Sequence, residues 1–242
     1  MSLLWSKGLG SLKAKHLTLI AVFAAIDVIL AALPAWWISW AAVIKPLHGI
    51  FLGPLGGMLA AFIGGIIGNL VWPQTAVLAV FTWIPGLIGA LGAGLMIKRS
   101  WKLVFVILGV LLLMFYLHPI GRTLALWALY DKVIALILIY PTAILLKKML
   151  ESGLEWKYLT PTLILVSFIG TQIDNTVGNN LFIFLKLYEL FGISADTLLP
   201  IYITGAFVMT AQRIVIAVVA GLIGTPLLKI IQKSGTIPWP LT

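Results

Sequence analysis

Apolar residues fill this chain in long uninterrupted runs, and polar residues gather in the short gaps between them. Seven runs stand out, at 17–33, 54–72, 76–97, 103–117, 123–146, 161–185 and 198–231. Most reach the roughly 17–20 residues that a helix needs to span a bilayer core. The run at 103–117 is short, and the last two are long enough to tilt or kink. An eighth segment, 35–53, is also about long enough to cross, but Lys45 and Pro46 interrupt it. A proline inside a helix removes a hydrogen bond and kinks the axis. That segment reads as a broken span, a re-entrant piece or a loop on the membrane surface.

Positive charge orients the runs, because cytoplasmic connections of membrane proteins collect Lys and Arg. Lys7, Lys13 and Lys15 place the amino terminus in the cytoplasm. Lys98, Arg99 and Lys102 mark a second cytoplasmic connection, Lys147, Lys148 and Lys157 a third, and Lys229 with Lys233 the carboxyl-terminal end. The connections near His118 and at 189–196 are poor in positive charge and suit the outside. Residues 35–97 must then cross an odd number of times. Three crossings with a turn at Gly53 and Pro54 satisfy this, and so does one crossing plus a re-entrant pair. The expected fold is all-α and integral to the membrane: a polytopic helical bundle of six to eight transmembrane segments, with both termini cytoplasmic. All 242 residues read as a single transmembrane domain.

Composition sharpens this. The chain is 62% hydrophobic and only 10% charged, where a soluble domain carries about 25% charged residues. A water-facing surface cannot be built from so little charge. The net charge of +9 sits in clusters at the ends of apolar runs, so it reports topology and no nucleic-acid partner is expected. Cysteine is absent, which excludes disulfides, thiolate metal sites and cysteine nucleophiles. Residues 1–16 are basic and mildly amphipathic, and no small-residue cleavage motif follows, so the first run reads as a retained helix.

Small residues recur at helical spacing: Gly53, Gly57 and Ala61; Gly64 and Gly68; Gly86, Ala90 and Gly94. Such stripes let helix backbones approach closely, and they predict tight bundling without specifying a function.

Ionisable groups in apolar runs are few, and each is costly enough to face a cavity or a partner. Asp174 lies in the polar stretch 172–180, where Gln172, Asn175, Thr176 and Asn179 share a helical face and Asp174 falls off its edge. Arg213 lies mid-way along the last run, beside Gln212. Asp174 and Arg213 are expected to face each other, lining a polar cavity or simply neutralising one another. Asp27 sits within the first run. Asp131 and Lys132, being adjacent, are not expected to face each other on a helix. Lys45 and His48 on the broken segment, with Trp36, Trp37 and Trp40 nearby, form a further candidate site. The tryptophans suit either an interfacial belt or a lid whose rings stack on a cyclic solute.

Catalytic patterns are missing. There is no glycine-rich phosphate cradle followed by Lys and Ser or Thr, no zinc-protease His-Glu-x-x-His and no nucleophile elbow. His16, His48 and His118 lie in separate segments. No enzyme activity, cofactor or metal is expected.

Three stretches together resemble the substrate-binding S components of energy-coupling factor (ECF) transporters. Residues 19–25 carry Ala21 and Ala25, similar to the family's Ala-x-x-x-Ala docking face. Residues 51–57, Phe-Leu-Gly-Pro-Leu-Gly-Gly, resemble its Gly-Pro-Leu-x-Gly signature. Residues 212–214 through 224–227 resemble the last helix of many members. The resemblance implies a subunit in the cell membrane that captures a vitamin or similar small solute from outside. It implies partners as well: a transmembrane coupling subunit, docked through Ala21 and Ala25, and two ATPase subunits. The substrate-binding residues expected on this reading are Trp36, Trp37, Trp40, Lys45, His48, Gln172, Asp174, Asn175, Asn179 and Arg213. A stand-alone secondary transporter or channel, and a membrane enzyme, are the competing classes.

Overall fold

A computed structural model describes residues 2–33, 38–76, 78–124, 126–234 and 239, with side chains described from Ala14 onward except at 126 and 234. The described residues contain helices and no strands. The α-helices are α1 (Ser2–Ala31), α2 (Trp40–Val71), α3 (Trp83–Ile97), α4 (Trp101–Leu117), α5 (Pro119–Thr123), α6 (Tyr130–Glu151), α7 (Trp156–Phe184) and α8 (Ala195–Ser234). Five described segments are long and apolar enough to cross a membrane: 14–31 of α1, α2, 79–97 ending in α3, 127–151 containing α6, and 195–233 of α8. α7 is not among the five, because its polar stretch at 172–180 dilutes an otherwise apolar helix. Large apolar side chains point outward around the bundle, Leu70 at 76% and Leu55 at 73% exposure among them. Water would penalise such a surface and hydrocarbon would not.

The break in the second segment falls at Gly53, the turn that the three-crossing arrangement called for, and not at Lys45 and Pro46, which the sequence also marked as an interruption. Pro46 sits early in α2 and removes one N–H from the ladder without ending the helix. Gly53 adopts φ 72° and ψ 179°, a region essentially closed to residues with a Cβ. Pro54 follows, with its φ already helical and no N–H to satisfy, which suits the first position of a new helix. α2 is therefore a hairpin with arms at 40–52 and 54–71. A Cβ on Gly57 would meet the Gly49 Cα at 2.6 Å, so the arms lie backbone to backbone. The first arm rises roughly 20 Å at 1.5 Å per residue, short of the roughly 30 Å hydrocarbon core.

The tip of the hairpin leaves carbonyls that a continuous helix would have satisfied. Ile50 O would accept from residue 54, which is a proline. It accepts instead from the Trp239 indole Nε1, at 2.8 Å. Leu52 O lies 3.4 Å from His16 Nε2 of α1. Both ends of the described chain thus reach the same turn.

The glycine stripes do what their spacing predicts. α3 runs along the first arm with Ala90 against Gly49, and Gly94 against Gly53 and Pro54. A Cβ on Gly94 would lie 2.5 Å from Pro54 N, so only hydrogen fits between these backbones. Gly170 and Asp174 of α7 lie against Gly89, and Gly178 against Pro85, so α7 runs antiparallel to α3. Gly221 of α8 meets Ile164, and Thr225 Oγ1 lies 3.2 Å from Thr160 Oγ1, so α8 runs antiparallel to α7. The run at 76–97 is not one helix: a turn and a short 3-10 segment at Ala79–Phe81 precede α3. The run at 123–146 likewise opens with a 3-10 turn, Leu126–Leu129, before α6.

Candidate functional site

α7 is the wall shared by two polar regions, and its stretch at 172–180 faces both. Towards α6 and α8 lies a cavity of about 220 Å³. Its polar lining comes from Lys132, Asn175, Asn179 and Tyr202, and its apolar lining includes Phe182 and Met209. Asn175 and Asn179 are one turn apart on α7, and Tyr202, Ala206 and Met209 form a matching stripe on α8. Gly205 leaves room between them: a Cβ there would have Met209 Cγ as its nearest neighbour, at 4.0 Å. This volume exceeds what a few waters occupy and suits a small solute.

Lys132 enters the cavity wall already paired. Its Nζ lies 2.9 Å from each Asp131 oxygen, and both side chains are buried. The sequence-based expectation that these neighbours do not meet is thus corrected. Asp131 occupies the first turn of α6, where the exposed helix N–H groups favour an acid, and the long lysine stem curls back to it. Arg213, one turn below Met209 on the same stripe, lies within electrostatic reach of Lys132.

On the opposite face of α7 lies a second polar cluster. Asp27 of α1 lies within electrostatic reach of Lys45 of α2 and Asp174 of α7. Glycines make the room: Gly64 faces Asp27, Gly86 faces the end of Lys45, and Gly89 faces Asp174. Asp27 is 2% exposed and its Oδ2 has no hydrogen-bond partner. His48 lies one turn below Lys45, fully buried, with its ring edge-on to Phe23 at 5.7 Å.

The expected site is thereby divided. Asn175 and Asn179 line the cavity; Lys45, His48 and Asp174 belong to the α1–α2–α3 side. Asp174 and Arg213 form no ion pair, which corrects the facing pair drawn from the sequence: their electrostatic neighbours differ, Asp27 on α1 for Asp174 and Lys132 on α6 for Arg213. Gln172 is fully buried, neither side-chain atom is bonded, and it lines neither region. Trp40 opens α2 and is 40% exposed; Trp36 and Trp37 lie outside the described residues. Ala21 and Ala25 are both exposed on α1. Sequence reading gave Lys132 no place in the site and overlooked Tyr202. The signal for Tyr202 was present in the Tyr202–Ala206–Met209–Arg213 spacing. Among the described residues no three His, Asp or Glu side chains converge as a metal site.

The architecture and its apolar exterior define a multi-pass α-helical membrane protein. Comparison with known proteins adds a single distant relationship. The chain is 29% identical over 163 residues to an uncharacterized protein of Methanocaldococcus jannaschii, an alignment that takes in 67% of this chain and 53% of the relative. The chain thus spans about half the length of the relative it matches. No family model matches, and no solved structure matches.

Proposed function

We propose that this chain is the substrate-binding subunit of an ECF-type importer, holding a small vitamin-like solute in the cavity between α6, α7 and α8. The observation that carries the reading is that cavity: amides, a lysine and a tyrosine converge on open space between three helices. Polar groups at such depth are expensive unless they serve a ligand or a partner. The hairpin at Gly53 supports counting its arms separately, which gives eight segments with both termini in the cytoplasm. The cavity then lies toward the outside of the cell membrane, at the end of α7 distant from Lys157. The exposed Ala21 and Ala25 offer a flat surface for a coupling subunit, which two ATPases would drive. On this reading the chain binds and delivers, and catalyses nothing.

The test is to purify the protein in mild detergent and identify co-purified small molecules by mass spectrometry, beside a Gly205→Trp variant whose indole fills the cavity. One stoichiometric compound, lost in the variant, is expected. Retention of that compound by Gly205→Trp would refute a cavity-bound solute. Ala25→Leu is expected to reduce co-purification with partner subunits, and undiminished recovery of them would remove the docking role.

One observation favours a second reading, a stand-alone secondary transporter. The Asp27–Lys45–Asp174 cluster, with Asp27 buried and the other two half-buried, carries two acids to one base, and intramembrane carboxylates mark ion pathways in many membrane proteins. Solute uptake by liposomes containing this chain alone, driven by an ion gradient, would favour it.

A further inference from the structure

The cavity between α6, α7 and α8 is polar without being charged. Lys132 is the one lining residue with a formal charge, and its Nζ lies 2.9 Å from each oxygen of the buried Asp131. That pair is neutral, so the wall offers no counter-charge to a bound ion. An ion entering from water would lose hydration with no opposite charge to replace it, which costs far more than burying a hydrogen-bonded neutral group. Hydrogen bonding then separates the residues of the polar stretch on α7. Thr176 Oγ1 donates to Gln172 O at 2.6 Å, and Asn180 Nδ2 donates to Leu111 O of α4 and to Thr176 O, each at 3.0 Å. Asn175 and Asn179, which line the cavity, have side chains hydrogen-bonded to no described residue. The same holds for the Tyr202 hydroxyl, although its ring is held edge-on against Phe115 at 5.6 Å.

Building on the solute-binding reading above, we infer that the solute is an uncharged ring compound bearing an amide group, which Asn175 and Asn179 recognise. A carboxamide side chain presents an acceptor oxygen and two N–H donors, so it pairs with another amide through a donor and an acceptor at once. Asn175 and Asn179 stand one turn apart on the same face of α7, about 5–6 Å, and one small polar edge can reach both. Tyr202 adds a hydroxyl that donates and accepts. Phe182, Tyr202 and Met209 supply aromatic and apolar surface for the ring. Carboxamides left unbonded in an apolar bundle are costly, and a neutral amide-bearing ring satisfies them without bringing a charge that the wall cannot match.

The test uses three ring probes of similar shape on the full chain in nanodiscs: neutral benzamide, negative benzoate and positive benzylamine. Binding at millimolar concentration is read by saturation-transfer NMR and by the rise in the thermal unfolding midpoint. Benzamide is expected to bind roughly tenfold or more tightly than either ion. Asn175→Leu and Asn179→Leu keep the side-chain size and remove the amide. Each is expected to weaken benzamide binding roughly fivefold, the scale of one hydrogen bond. Binding of either ion as tightly as benzamide overturns the neutral assignment, and so does binding of none of the three. Unchanged benzamide affinity in both leucine variants overturns recognition by the two amides. If a leucine variant does not fold, the ranking of the three probes on the unaltered chain decides. The solute-binding reading stands or falls separately, on whether Gly205→Trp loses the co-purified compound. A charged co-purified compound, lost in that variant, keeps the reading and removes the neutral assignment.

Discussion

The two faces of α7 are packed by opposite rules. On the α1–α2–α3 side, glycine after glycine meets backbone: Gly49 against Ala90 and Gly94, Gly57 against Gly49, Gly94 against Pro54. On the α6–α8 side, Gly205 has open space before it and a cavity of about 220 Å³ separates the helices. Polar groups follow the packing. The tight side buries Asp27 beside the half-buried Lys45 and Asp174; the loose side sets Lys132, Asn175, Asn179 and Tyr202 around a cavity. The lesson is that a dense polar stretch in a helix does not by itself mark a binding site. The neighbours decide, and glycine in the facing helix can mean either closure or room.

The largest effect should come from adding one methyl group to each side. Gly49→Ala forces a Cβ into the Ala90 carbonyl, with no flexible side chain to yield. We expect a cost of about 4 kcal/mol or more and loss of monodisperse protein on size-exclusion chromatography. Gly205→Ala should leave stability within about 0.5 kcal/mol. Similar behaviour of the two variants would erase the distinction.

Next in size is the buried pair at the cavity wall. Lys132→Met strands Asp131, and breaking such a pair costs about 3–5 kcal/mol. The double change Asp131→Asn with Lys132→Met should recover much of that in thermal unfolding. No recovery would mean that the pair does more than neutralise itself.

Smaller again is Trp239→Phe, which removes the indole donor to Ile50 O. A loss of about 1 kcal/mol is expected, together with faster proteolysis near the hairpin tip. Unaltered stability and digestion would make the indole contact incidental.

The smallest effect belongs to the α4–α5 connection. His118 Nδ1 accepts from Ile120 N at 3.3 Å, capping α5 as a neutral imidazole, and burial holds its pKa below the usual 6.5. A lowered histidine pKa means that the unfolded chain takes up the proton first. Its contribution is therefore full above about pH 6.5 and is lost as the pH falls through the folded value. A slight acid-side loss of stability, absent in His118→Gln, is the expected titration result. The same loss in both proteins would assign it elsewhere.

Much of the tight side was legible in the sequence. Gly53 followed by Pro54 is a turn on backbone chemistry alone, and the four-residue glycine spacing forecast the close helices correctly. The kink was misplaced at Pro46 because a proline in the first turns of a helix costs too little to end it. The loose side was harder to read. Apolarity identifies which residues are buried, while the partner of a buried charge depends on how helices are rotated about their axes. Asp174 and Arg213 were matched as opposite charges in neighbouring helices, yet α7 turns Asp174 to Gly89, and Arg213 on α8 lies within electrostatic reach of Lys132 instead. The Asp131–Lys132 contact escaped because side-chain spacing rules hold for helix interiors, and Asp131 lies in a first turn.

The clasp at the hairpin tip has a consequence for how the molecule is made. The first arm of α2 leaves the ribosome early, yet the indole that closes its last carbonyl is attached nearly two hundred residues later, at Trp239. Until then the roughly 20 Å arm must wait in the translocon or the lipid with an exposed polar end. The nascent chain therefore carries an unfinished joint for nearly two hundred residues of synthesis, until the segment after α8 delivers the piece that locks the second helix.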